Sequence, residues 1–129
     1  PEGFVPLLYK RGFLLATTAE DYRLRVRHHE PRQESDLDFW ARAIKSEFDF
    51  NRGYIVEEVT DFPLTDKDLT ARLIKCQATM GGETWNYWVW LVQETDDRDD
   101  LVSVEFACTQ KDFETYRQRV EDAVKGIEI

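Results

Sequence analysis

The chain is short of cysteine, of histidine and of positive charge, and each shortage closes off a class of function. Two cysteines among 129 residues, Cys76 and Cys108, make neither a disulfide framework nor a zinc site by spacing. Two adjacent histidines, His28 and His29, leave little for metal or nucleophilic chemistry. A formal net charge of −9 disfavours nucleic acid and anionic membrane surfaces, both of which need a basic footprint. No apolar run approaches the ~20 residues of a membrane-spanning helix. The N-terminus, PEGFVPLLYKRG, lacks the basic region, apolar stretch and small-residue cleavage site of a signal peptide. There is no GxSxG and no phosphate loop, since Gly81-Gly82 is followed by neither a helix nor Lys-Ser/Thr.

What the chain has is aromatic weight in one place. Glu83 to Gln93, ETWNYWVWLVQ, holds three of the four tryptophans. Trp85, Tyr87, Val89 and Leu91 alternate with Trp88, Trp90 and Val92, so both faces are apolar. That pattern predicts a central strand covered on both sides. Hydrophobic residues at 42% and charged residues at 33% predict one globular domain over 1–129, with 1–6 a loose lead-in.

The remaining elements follow from period. Leu7 to Thr17 holds one or two short strands around Gly12. YRLRVRH, from Tyr22 to His28, alternates apolar residues with Arg23, Arg25 and Arg27 and predicts a half-buried antiparallel strand ended by Glu30-Pro31. Ser35 is the expected cap of a helix whose stripe is Leu37, Trp40, Ala41, Ile44 and Phe48, closed by Gly53. Strands are predicted at Tyr54 to Phe62, Ala71 to Thr79 and Leu101 to Cys108. Gly81-Gly82 and TDDRDD (Thr95 to Asp100) form the turns on either side of the tryptophan strand. Thr109 caps a last helix with Phe113, Tyr116, Val120, Ala123, Val124 and Ile127 on its stripe.

A meander register follows. Centring the first turn on Gly81-Gly82 sets Cys76 opposite Tyr87 and Ile74 opposite Val89. Centring the second within TDDRDD sets Val104 opposite Val89, Phe106 opposite Tyr87 and Cys108 opposite Trp85. Val102, Val104, Phe106 and Cys108 would then share the main core face with Ile74, Cys76, Tyr87 and Val89. The cysteines would lie two strand spacings apart, roughly 9–10 Å, beyond the ~7 Å limit for a disulfide, as two buried free thiols. The opposite face would carry Trp88 and Trp90 amid polar residues. They would be either core under the second helix or the floor of a partner-binding groove.

The arginine row is the second candidate surface. Three guanidinium groups on one strand face can dock a carboxylate-rich or phosphorylated partner, or pair internally with an acid on a neighbouring strand, Glu57 being one candidate. His28-His29-Glu30 cannot converge on one ion, because adjacent strand residues face opposite ways. TDDRDD lacks EF-hand spacing. No catalytic residue, metal site or cofactor is expected.

DYRLRVRHHEP, the helix ESDLDFWARAIKSEFDFNRGY, the long hairpin through ETWNYWVWLVQ and the final VSVEFACTQKDFETYRQRVEDAVKGI together resemble the Mog1/PsbP-like fold, from about Phe13 onward. The resemblance implies an α+β class: a twisted antiparallel β-sheet flanked by helices, an α/β/α sandwich. It also implies a non-catalytic protein-interaction or assembly domain, similar to bacterial DcrB-like lipoproteins of the cell envelope or periplasm, whose lipid anchor would lie upstream of this sequence. The expected partner is a protein bound through Arg23, Arg25, Arg27, Trp88 and Trp90, with the chain a monomer or weak dimer. The alternative function is binding of a small apolar ligand in a pocket beside the tryptophan strand.

Overall fold

The computed structural model describes residues 3–10, 13–20, 22–29, 36–95 and 100–127, with side chains at 5–10, 13 and 50–52 left aside. Seven strands form one antiparallel sheet: β1 (Val5–Lys10), β2 (Phe13–Thr17), β3 (Arg23–His29), β4 (Ile55–Phe62), β5 (Leu69–Met80), β6 (Glu83–Glu94) and β7 (Leu101–Thr109). Their order is β1-β2-β3-β7-β6-β5-β4. The tryptophan strand β6 is flanked by β5 and β7, as its two-sided apolar pattern requires. The class is α+β: α1 (Leu37–Ser46) and α2 (Gln110–Lys125) complete the chain. The expected cap Ser35, the terminator Glu30-Pro31, Gly12 and the tip of the acidic turn lie outside the described residues.

The helices form where the apolar stripes lie. Asp36 caps α1, its carboxylate accepting from Phe39 N at 2.9 Å. Leu37, Ala41 and Phe48 are buried, with Trp40 and Ile44 packed beside them. After Ser46 the backbone widens into a π turn, Glu47–Arg52, and stops at Gly53 in the left-handed conformation, φ 68°. The π turn keeps Phe48 inward, against Tyr54 and Tyr87 at ring-centroid distances of 5.4 Å each. Thr109 sits at the cap position of α2, but its hydroxyl bonds Tyr22 Oη at 2.8 Å and makes no capping bond to the helix backbone. Tyr22 also donates to Asp112 at 2.5 Å, so the start of β3 is tied to the first turn of α2. Ala123 is exposed; the rest of the expected α2 stripe is buried or half-buried.

The first hairpin has the expected register: Cys76 faces Tyr87, Ile74 faces Val89, and Met80 faces Glu83 across Gly81-Gly82. Both glycines have positive φ, 59° and 78°, as a two-residue type I′ turn demands.

The second connection differs by one residue. Trp88 faces Phe106, Val89 faces Glu105 and Val92 faces Val102, so an odd number of residues separates the partners where the even count was expected. A one-residue slip moves a whole strand's side chains to the other face. Val102, Val104, Phe106 and Cys108 therefore join Trp88 and Trp90 under α2, in a core with Phe113, Tyr116, Val120 and Val124. Ile74, Cys76, Val89, Leu91 and Leu101 pack under α1. Cys76 and Cys108 are both buried and free, on opposite faces of the sheet rather than on a shared one.

Candidate functional site

Trp88 and Trp90 are not a surface. Their exposures are 9% and 1%, and Trp88 packs against Phe113 of α2 with ring centroids 4.8 Å apart and the rings tilted by 60°. The core alternative holds for both, and neither indole floors a groove among the described residues. Trp90 buries its indole N–H with no hydrogen-bond acceptor among the described residues.

The arginine row is different. On the face opposite α2, α1 packs against β5 and β6, over a core that takes Leu101 from β7. The neighbouring half of that face, formed by β7, β3 and β2, has no described helix over it. Arg23, Arg25 and Arg27 project there from β3 at every second position. Leu15 and Thr17 on β2 lie opposite Arg25 and Arg23. Glu105 and Ser103 on β7 lie opposite Arg25 and Arg27. The counter-charge of the row is thus Glu105. The expected candidate, Glu57, belongs to β4 at the far edge of the sheet.

Glu105 holds the centre. Its carboxylate accepts from Arg27 Nη2 at 2.6 Å and from Tyr87 Oη at 2.7 Å. Arg25 stands off at 4.0 Å. Burial works to raise the Glu105 pKa, but the hydrogen bonds from Tyr87 and Arg27, with the charges of Arg27 and Arg25, outweigh it and hold the group below the ordinary carboxylate range. The Glu105 side chain is 14% exposed, against 46% for Arg25 and 37% for Arg27. The half-face therefore presents guanidinium groups to solvent above a sunken carboxylate. An open cleft of about 150 Å³ runs beside them, walled by Tyr22, Trp85, Tyr87 and Ala107.

At the other end of the row His29 Nε2 lies 2.9 Å from Ser103 Oγ. Burial and the Arg27 charge lower the His29 pKa. Around the pair the described residues lack the remaining parts of a hydrolytic site. Ser103 is buried at 4%, no described carboxylate hydrogen-bonds the second ring nitrogen, and the β7 backbone is committed to ladders on both sides. His28 points the other way, 3.0 Å from Asp100, as alternation requires. Burial pushes both thiols up to about 12, so neither is a nucleophile at neutral pH. Among the described residues no three His, Cys, Asp or Glu side chains are grouped to hold a metal ion, and no helix is long and apolar enough to cross a membrane.

A second concavity, of about 160 Å³, lies between the C-terminal half of α2 and the β2–β3 hairpin, lined by Leu14, Val26, Val124 and Ile127 among others. It is almost wholly apolar.

Sequence reading missed Glu105, Tyr87, Trp85 and Ala107 as parts of the site. One signal was present: Glu105 is the only charge in the strand LVSVEFACT, and a charge at the centre of a covered sheet needs a partner.

No protein-family model matches this chain, and no curated protein matches it. Among solved structures, it is similar to the crystal structure of PA94 from Pseudomonas aeruginosa, described as a protein of unknown function with a suggested role as a regulator. The TM-score is 0.67 at 10% sequence identity, over 98% of this chain and 96% of that one. At that identity the likeness concerns the fold alone.

Proposed function

We propose that this chain is a non-catalytic protein-interaction domain of the Mog1/PsbP-like α/β/α kind, carried by a bacterial cell-envelope lipoprotein, and that it docks its partner on the sheet half-face beside α1. The observation that carries this reading is the half-face itself. A sheet normally covers both faces, yet here three arginines stand in a row over β3 and β7 where a second helix would otherwise lie. The resemblance of sequence pattern supports the assignment of kind; the likeness to the Pseudomonas aeruginosa structure bears on the α+β fold alone. The envelope location rests on that resemblance.

The apolar groove beside α2 favours the second reading, binding of a small apolar ligand. Its volume, about 160 Å³, falls below the ~300–1,000 Å³ of typical ligand pockets. Protein docking on the half-face is the better reading.

A photo-crosslinking amino acid placed at Ala107, in the cleft, should trap a discrete protein adduct in cells. The same group at Ala43, on the exposed side of α1, should not. Equal labelling from both positions, or none from Ala107, would reject docking on this face.

A further inference from the structure

We infer that the half-face takes an extended acidic peptide segment with a carboxylate at every second residue, and that Glu105 already occupies the place of one such carboxylate. The inference rests on the docking reading and names the chemistry of the partner.

Three observations carry it. The first is period. Alternate residues of β3 recur every ~6.6–6.8 Å, and an extended segment laid along the strand repeats its side chains at the same interval. Acids at alternate positions all face the row, whereas consecutive acids point to opposite sides of the segment.

The second is that this surface already holds a carboxylate of its own chain. Glu105 takes hydrogen bonds from Arg27 at 2.6 Å and from Tyr87 at 2.7 Å. Donors of the right type are therefore already arranged around a carboxylate on this face.

The third is capacity left over. At 4.0 Å Arg25 is too far from Glu105 for a hydrogen bond, and it is 46% exposed. A guanidinium has five N–H donors in a planar fork that fits a carboxylate. The overall charge of −9 works against acidic chains at long range, so binding is local to the row and salt-sensitive.

The test uses the purified full chain and a fluorescein-labelled peptide of alternating glutamate and threonine, followed by fluorescence anisotropy. Controls are a peptide of equal composition with its glutamates in one block, and an alternating peptide with phosphoserine in place of glutamate. The alternating glutamate peptide should bind saturably and weaken with salt. Arg25→Ala, a change at an exposed side chain, should lower affinity about tenfold, the worth of one charge-assisted bond. Glu105→Gln should raise affinity by removing the internal competitor. The block peptide should bind about tenfold more weakly, having lost at least one such bond.

No binding of the alternating peptide, equal binding of the block peptide, an unchanged Arg25→Ala affinity, or binding of the phosphoserine peptide alone would each overturn the inference. If the peptide fails while Ala107 still gives a discrete crosslink, the docking face stands and only its acidic partner is wrong. If both fail, the docking reading falls as well.

Discussion

Arg27 reaches past its direct cross-strand neighbour. Ser103 lies opposite it on β7, yet its Nη2 donates to Glu105, two residues along on the same face and directly opposite Arg25. The diagonal bond turns the Arg27 guanidinium along the sheet and leaves Arg25 the more exposed of the two.

Glu105→Gln is expected to cost about 1–3 kcal/mol at neutral pH, because Arg27 loses a charged acceptor in a largely buried place. The cost should depend on pH. A carboxyl whose folded pKa is depressed contributes stability that is present above its unfolded value, here 4.5, and is lost as the pH falls through the lower folded value. Urea melts at several pH values should show the gap between wild type and Glu105→Gln closing below about 4.5. A gap constant with pH would mean that the ion pair contributes nothing.

Trp88→Ala should destabilise far more than Trp85→Ala. Trp88 is packed between Phe113 and the sheet, and truncating a buried tryptophan costs about 3–5 kcal/mol. Trp85 is half-buried and rests edge-on against Tyr22 at 5.6 Å. In the same way, iodide should quench only the fluorescence arising from Trp40 and Trp85, so Trp88→Phe and Trp90→Phe should leave the quenchable intensity unchanged and raise its share of the total. Equal losses of stability, or a quenchable fraction that disappears with Trp88, would contradict the register of β6 on β7.

Both thiols should be silent in the native state. They are buried on opposite faces, and burial raises each pKa to about 12. A thiol reagent at pH near 8, a little below the free-thiol value of ~8.5, should react only as fast as the protein opens, and should titrate two thiols in urea. Fast native labelling of either cysteine would show that its strand is not core.

Gly82→Ala is a test of the hairpin alone. A Cβ at this position would meet nothing within 4 Å, so the whole cost is the left-handed backbone, about 1–2 kcal/mol. A neutral substitution would show that the turn is not the type I′ that pairs Met80 with Glu83.

Much of this was legible along the chain. The double-sided apolar run of β6, the alternation of Arg23, Arg25 and Arg27, the stripes of α1 and α2, the cap at Gly53 and the register across Gly81-Gly82 are all local patterns with a local physical cause. A two-residue hairpin allows one register, so β5 on β6 could be read directly. The failure came at the next turn. A longer acidic connection accommodates odd or even counts equally well, and β6, apolar on both faces, has no preference for which side its partner's valines take.

The sequence by itself determined the element order, the register of the first hairpin and the presence of three arginines on one strand face, because each depends on side-chain period and turn chemistry within a short window, while the antiparallel α+β class came from the resemblance. Only the tertiary structure decided which face each helix covers. With Trp88 opposite Phe106 rather than Glu105, α2 closes over the tryptophans, Glu105 turns to the arginines, and the open surface moves from the indoles to the guanidinium row. That choice is collective. It depends on burying two indoles and four β7 side chains under one helix at once, and no window of the chain contains all of them.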